Sequence, residues 1–161
     1  MQIEMTIKGL MVDPIMNTPI VILRDRDGQR VLPIWVGIFE ANAIALQIEN
    51  VPTARPMTHD LLRNVIADLK GAVQKIVICD LQDNTFYALI YVSLGGDTLA
   101  IDARPSDAIA LALRARAPIF VEDSVIDNAK TVDLSADKTD SDRLHRWLDS
   151  LDPDDLGKYK M

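Results

Sequence analysis

Gln2 to Asp13 alternates, with Ile3, Met5 and Ile7 on one face and Gln2, Glu4, Thr6 and Lys8 on the other. Period two is the mark of a strand, and the phase flips at Gly9 so that Leu10 and Val12 continue on the even positions, which predicts a β-bulge. Pro19 to Leu23 is a continuous apolar strand, Arg24 to Gln29 a hairpin turn around Asp27-Gly28, and Arg30 to Val36 the return strand. Pro33 marks that strand as an edge or a bulge, because proline cannot donate to a ladder. After Gly37 the period becomes helical. Ile38 to Ile48 is apolar on nearly every side apart from Glu40 and Asn42, so the pattern predicts a buried helix. A second helix runs from Thr58 to about Lys70 with a clean stripe of Leu61, Leu62, Val65, Ile66 and Leu69, ended by Gly71. Val73 to Leu81 and Phe86 to Leu94 make a second hairpin about Asp83-Asn84, and neither side of its later strand reads as wet. Leu99, Ile101 and Ala103 then alternate with Ala100, Asp102 and Arg104 as a half-buried strand. It runs into a helix from Ser106 to Arg116, whose Ala108, Ala110, Ala112 and Ala115 permit close packing. Pro118 to Glu122 is a last short strand.

Strands, a helix pair, strands, a helix and a strand give an α+β class. The architecture expected is a mixed, largely antiparallel sheet with about three helices, in a single compact domain over 1–126. A polar linker is expected over 127–142. Leu144, Trp147, Leu148 and Leu151 then predict a short amphipathic helix within a charged end, 143–161. With 161 residues, 48% hydrophobic and 25% charged, the chain suits one globular domain with a real core. No apolar run approaches the roughly 20 residues that cross a membrane. The strand pattern starts at once, so no leader peptide is expected, and the lone Cys79 suits a reducing cytoplasm. The net charge of −7 is spread over both parts and argues against binding nucleic acid through a broad basic face.

Charges gather at two corners built alike. Asp102-Ala103-Arg104-Pro105-Ser106-Asp107 ends a strand and starts a helix; Arg55-Pro56-Met57-Thr58-His59-Asp60 uses the same parts. Proline fits a first helical turn, a hydroxyl caps free N–H groups, and those groups with the helix dipole favour an anion. The alternation places Asp102 and Arg104 on one strand face, with Asp107 one helical turn onward.

Leu32-Pro33-Ile34-Trp35-Val36-Gly37, Glu40-Ala41, Arg55-Pro56-Met57-Thr58-His59-Asp60-Leu61 and Asp102 through Ala112, four motifs in order over about residues 1–125, resemble the bifunctional nuclease domain, a domain formerly of unknown function. The resemblance implies a compact domain that self-associates, as a homodimer or higher oligomer. It also implies a nuclease activity on RNA and DNA, attributed to plant members. The net charge separately leads to the expectation of flexible single-stranded RNA or DNA as the partner, held by a few arginines at one groove, and the lack of a long apolar run to that of no membrane. Read from chemistry, Asp60, His59, Asp102, Asp107 and Glu40 are the candidate catalytic groups, and Arg55, Arg104, Ser106 and Thr58 the candidate substrate-binding ones. The carboxylates could hold a divalent cation, Mg2+ or Mn2+, although no metal is singled out.

Each residue also has a plainer reading. Asp60 and Asp107 stabilise a helix dipole wherever they stand. His59 can pack beside the apolar stripe, Glu40 can pair with a buried arginine, and Asp102 with Arg104. Trp35, Tyr87 and Tyr91 can stack bases or fill the core. A non-catalytic oligomeric regulatory module, or an anion- or nucleotide-binding domain, therefore stands as the alternative to a nuclease.

Overall fold

The computed structural model describes residues 1–129 and the backbone of 132–133. β1 (Gln2–Val12), β2 (Pro19–Asp25) and β3 (Arg30–Trp35) form an antiparallel meander. The β1 register slips between Ile7 and Gly9, so the phase flip in the sequence is a bulge. Gly28 takes φ +72° in the β2–β3 turn, where Asp25 Oδ1 accepts from the N–H groups of Gln29 and Arg30 at 2.8 and 3.1 Å. The tight turn is thus set by glycine's freedom and an acceptor carboxylate. β4 (Ala72–Gln82) and β5 (Thr85–Leu94) turn through Asp83 and Asn84, both at positive φ as a primed hairpin turn requires. β6 (Asp97–Ala103) follows as the sheet's end strand.

β7 (Ile119–Glu122) joins the two halves, pairing antiparallel with β1 and parallel with β4. The order is β6-β5-β4-β7-β1-β2-β3, and the two-residue β8 (Val132–Asp133) extends it beside Arg30 and Val31. Pro33 lies past that pairing, on the side of β3 with no neighbour among the described residues. The class is α+β with a mixed sheet, as the pattern predicts. Ile20, Val21, Ile22 and Leu23 are all buried, so β2 is covered on both faces, the state a continuous apolar strand implies.

The helices α1 (Ile38–Ile48), α2 (Thr58–Asp68) and α3 (Pro105–Ala115) gather around α3. Pro105 opens α3 at its first turn, and Ala108, Ala110 and Ala112 are fully buried where the helix meets its neighbours. Small side chains let the packed axes approach closely.

Expectations about burial are corrected in four elements. α1 is not a buried helix: only Ala41 and Ile44 are buried, while Ile38 and Phe39 are 68% and 84% exposed. The α2 stripe stays open at Leu61, Leu62, Val65 and Leu69, with Ile66 packed against the core. β6 is an exposed edge rather than a half-buried strand, and β5 buries Phe86, Ala88, Ile90 and Val92 but leaves Tyr87 exposed. Periodicity identifies the apolar face of an element; it does not supply the layer that covers it. A six-residue helix, α4 (Asp123–Asn128), also follows β7, burying Val125 and Ile126. The stretch expected as linker, 127–142, therefore begins inside α4, and Val132 and Asp133 of it pair with β3. The helix expected over 144–151 lies outside the described residues.

Candidate functional site

The α3 corner forms where β6 ends and Pro105 fixes the first helical turn, leaving Arg104 as the residue before the helix in extended conformation. Its side chain turns back onto its own helix. Arg104 Nε donates to Asp107 Oδ2 at 2.8 Å, and its NH2 donates to Glu40 Oε1 of α1 at 2.9 Å. The Asp107 hydrogen bond, with Glu40 behind it, raises the Arg104 pKa further above its ordinary value, so this guanidinium is permanently charged. Asp107 Oδ1 lies 3.0 Å from His59 Nε2 on α2. One carboxylate thus links an arginine and a histidine that lie 45 residues apart in the sequence.

The Glu40 carboxylate lies over Gly37 on its way to this cluster. A side chain on Gly37 would collide with the Glu40 carboxylate, which folds back over the start of α1. The four groups differ in access. Arg104 keeps 53% of its side-chain surface and Asp107 30%, against 18% for Glu40 and 11% for His59. They line a cavity of about 390 Å³ together with Thr58 and Phe39. An adjoining apolar cavity of about 430 Å³ shares His59, Thr58, Arg104 and Asp107 and is also lined by Leu62, Ile101 and Leu111.

The second corner faces elsewhere. Arg55 lines a separate cleft of about 340 Å³ with Asp60, Arg63 and Arg114. Asp60 accepts from the Met57 N–H at 3.0 Å, which caps α2, and from Arg114 Nε at 2.8 Å. Arg114 also donates to the carbonyls of Ala110 and Ala43 at 2.9 Å, so it ties α1, α2 and α3 together from a side chain that is 2% exposed. Burial pushes the Asp60 carboxyl up, but the Met57 N–H and the Arg114 and Arg63 charges outweigh it and hold the pKa below the usual carboxylate value. His59 and Asp60 are neighbours in sequence on adjacent positions of one helix, and so serve two different clefts.

The nine residues singled out in the sequence thus separate. Glu40, His59, Arg104 and Asp107 form one cluster, with Thr58 at its wall. Arg55 and Asp60 belong to the other cleft. Ser106 is 1% exposed and so offers no surface to a ligand. Asp102 borders the apolar cavity but makes no hydrogen bond or ion pair with a described residue, so the expected convergence of Asp102 with Arg104 gives way to Arg104 with Glu40. Trp35 is 3% exposed and spends its indole N–H on buried Asp13 at 3.1 Å, a core role. Arg114 and Phe39 were missed. Arg114 reads as one more exposed charge on a helix, and its partners Asp60 and Ala43 lie 54 and 71 residues away. Phe39 reads as part of an apolar helix face.

A divalent cation does not suit this donor set. Among the described residues no three His, Cys, Asp or Glu side chains come together to hold a metal. Where Glu40 and Asp107 converge, the cationic group between them is already the Arg104 guanidinium.

A family model for the bifunctional nuclease domain matches residues 21–133, the span that carries both clefts. An "uncharacterized protein" of Mycobacterium tuberculosis is 40% identical over 165 residues, covering 95% of this chain and 97% of that protein. Bifunctional nuclease 2 of rice (Oryza sativa subsp. japonica) is 31% identical over 111 residues, which is 66% of this chain and 34% of the rice protein. Bifunctional nuclease 2 of Arabidopsis thaliana is 29% identical over 105 residues, 63% of this chain and 32% of its own length. The plant likeness therefore concerns one region of longer proteins, and the family model spans more than half of this chain, which belongs to the bifunctional nuclease domain family.

Proposed function

We propose that the His59–Asp107–Arg104–Glu40 cluster cleaves phosphodiester bonds in RNA and DNA. The observation that carries the reading is the single carboxylate of Asp107 holding a histidine on one oxygen and a solvent-facing arginine on the other. With Asp107 ionised, His59 Nε2 carries a proton toward it and Nδ1 is left as an acceptor. Nδ1 then takes the proton from the attacking 2′-hydroxyl or water. Arg104 has committed Nε and NH2 to carboxylates; NH1 keeps two donors for a phosphate oxygen and stabilises the charge that develops on it. The P–O5′ bond breaks, and the leaving oxygen takes its proton from solvent. Glu40 fixes the guanidinium plane. The test is Arg104→Lys, which keeps the charge and loses the planar fork: cleavage of a labelled oligonucleotide is expected to fall at least 100-fold, and unchanged cleavage would overturn the assignment.

A second reading is favoured by one observation. Arg104 ties α1 to α3 through two carboxylates, which is also what a purely structural clamp does. Arg104→Met would then lower the melting temperature sharply, with no cleavage by the wild type to lose. We also infer that the chain associates with a second copy across α2 and β6. Leu61, Val65 and Leu69 on the helix and Leu99 and Ile101 on the end strand are each more than 40% exposed, and the outer edge of β6 has no partner strand among the described residues. Light scattering at micromolar concentration should return a multiple of the chain mass, and Val65→Lys should reduce it.

A further inference from the structure

Phe39 is 84% exposed, the most open large aromatic side chain among the described residues, and it sits on the wall of the cavity that holds Arg104, Glu40 and His59. An aromatic ring left in water forgoes the stabilisation that burial would bring and keeps its face open to a ligand. Its backbone is fixed beside the cluster, because the next residue, Glu40, is the one that bonds Arg104. Among the described residues no other Phe, Tyr or Trp lines this cavity. Trp35 is buried on Asp13, and Tyr91 lies 5.0 Å beneath the Lys75 ammonium. Tyr87 lies on the β5 face opposite Phe86 and Ala88 and lines none of the three cavities described above.

An exposed ring beside a cation with two free donors is the pair of features that single-stranded nucleic acid asks for: a π-face for a base and a guanidinium for the adjoining phosphate. We propose that Phe39 is a stacking platform for an unpaired nucleobase whose phosphate lies on Arg104, so that the cavity takes single strands in preference to duplex. The proposal rests on the phosphodiester reading of the cluster and adds its substrate selectivity. In a duplex both faces of each base are already covered by neighbouring base pairs, so only an unpaired base can settle on the ring. The cavity volume of about 390 Å³ lies within the range of sites that hold small ligands. The charge of the protein as a whole points the same way: a net charge of −7 works against a broad electrostatic hold on a duplex backbone and favours contact through a few cations and a stacking surface.

The experiment measures binding, not cleavage. Fluorescence anisotropy would follow a labelled single-stranded 12-mer, the same strand with abasic positions, and its duplex, each against wild type, Phe39→Ala and Phe39→Trp. Light scattering on each variant would follow the chain mass. Phe39→Ala is expected to weaken the single strand about 10-fold, within the range a stacked base contributes, and Phe39→Trp to restore it. Abasic strand and duplex are expected to bind more weakly than the single strand and to be insensitive to either change. Equal single-strand affinity in wild type and Phe39→Ala overturns the proposal while leaving the phosphodiester reading intact. Loss of oligomer mass in Phe39→Ala with unchanged affinity overturns it in favour of a second copy covering the ring. Failure of the wild type to bind any oligonucleotide overturns both readings together.

Discussion

Asp60→Ala should be among the most destabilising single changes in the helical layer. The Arg114 side chain is 2% exposed and meets three acceptors, of which Asp60 alone carries charge. Removing that carboxylate leaves a buried guanidinium without its counter-ion, which costs about 3–5 kcal/mol for a well-buried pair. Asp60 keeps 21% of its side-chain surface in contact with solvent, so water can partly replace it, and the lower end, about 3 kcal/mol, applies. The same change removes the acceptor for the Met57 N–H at the start of α2, adding about 1 kcal/mol. The sum of about 4 kcal/mol corresponds to a fall of roughly 12–15 °C in Tm for a domain of this size. Differential scanning calorimetry of wild type, Asp60→Ala and Asp60→Asn would check it, with Asn retaining one acceptor and losing about half as much. A melt of Asp60→Ala within 3 °C of wild type would refute the claim that Arg114 and Asp60 hold the three helices together.

Acid should act through the same pair. The Asp60 pKa is held below its ordinary 3.8 in the folded chain, so its contribution is present above about pH 4 and is lost as pH falls through the lower folded value. The acid limb of a stability–pH curve should therefore flatten in Asp60→Asn. Oligonucleotide affinity should fall steeply with salt: about three phosphate contacts, at Arg55, Arg63 and Arg104, give a log–log slope near −2, or about 16-fold between 50 and 200 mM. A slope near zero would mean that these arginines do not meet phosphates. Asp102→Asn should leave the melt within about 1 °C of wild type, since the Asp102 carboxylate makes no hydrogen bond or ion pair with a described residue, and a larger shift would refute that.

How much was legible follows from which forces act locally. The bounds of α1, both hairpins and the β1 bulge were readable because residue period, Asp-Gly and Asn at positive φ act over a few residues. The openness of α1 and α2 was not, because the same stripe of Leu61, Leu62 and Val65 describes a helix under a covering layer and a helix awaiting one. The two corners shared a motif, yet Arg55 and Asp60 went to one cleft and His59 to another, since successive residues of a helix point about 100° apart. Glu40 stands out in the sequence as a carboxylate on an apolar helix, and it does pair with an arginine, though Arg104 is 53% exposed rather than buried. Arg114 gave no local sign, because its role depends on carbonyls and a carboxylate brought together only by the fold. α4 was missed because six residues are too few to show a helical period.

The central claim is that the His59–Asp107–Arg104 cluster performs the chemistry, and His59→Gln tests it most directly. The glutamine amide can still donate to Asp107 where Nε2 did, so the hydrogen bond and the fold are kept while the proton acceptor is removed. Cleavage of a labelled single-stranded RNA would be measured for wild type, His59→Gln and a mock purification, with thermal melts in parallel. The account predicts cleavage by the wild type well above the mock, a loss of at least 100-fold in His59→Gln, and melts within about 3 °C of each other. Equal cleavage by wild type and His59→Gln, or wild-type cleavage no greater than the mock, would contradict it.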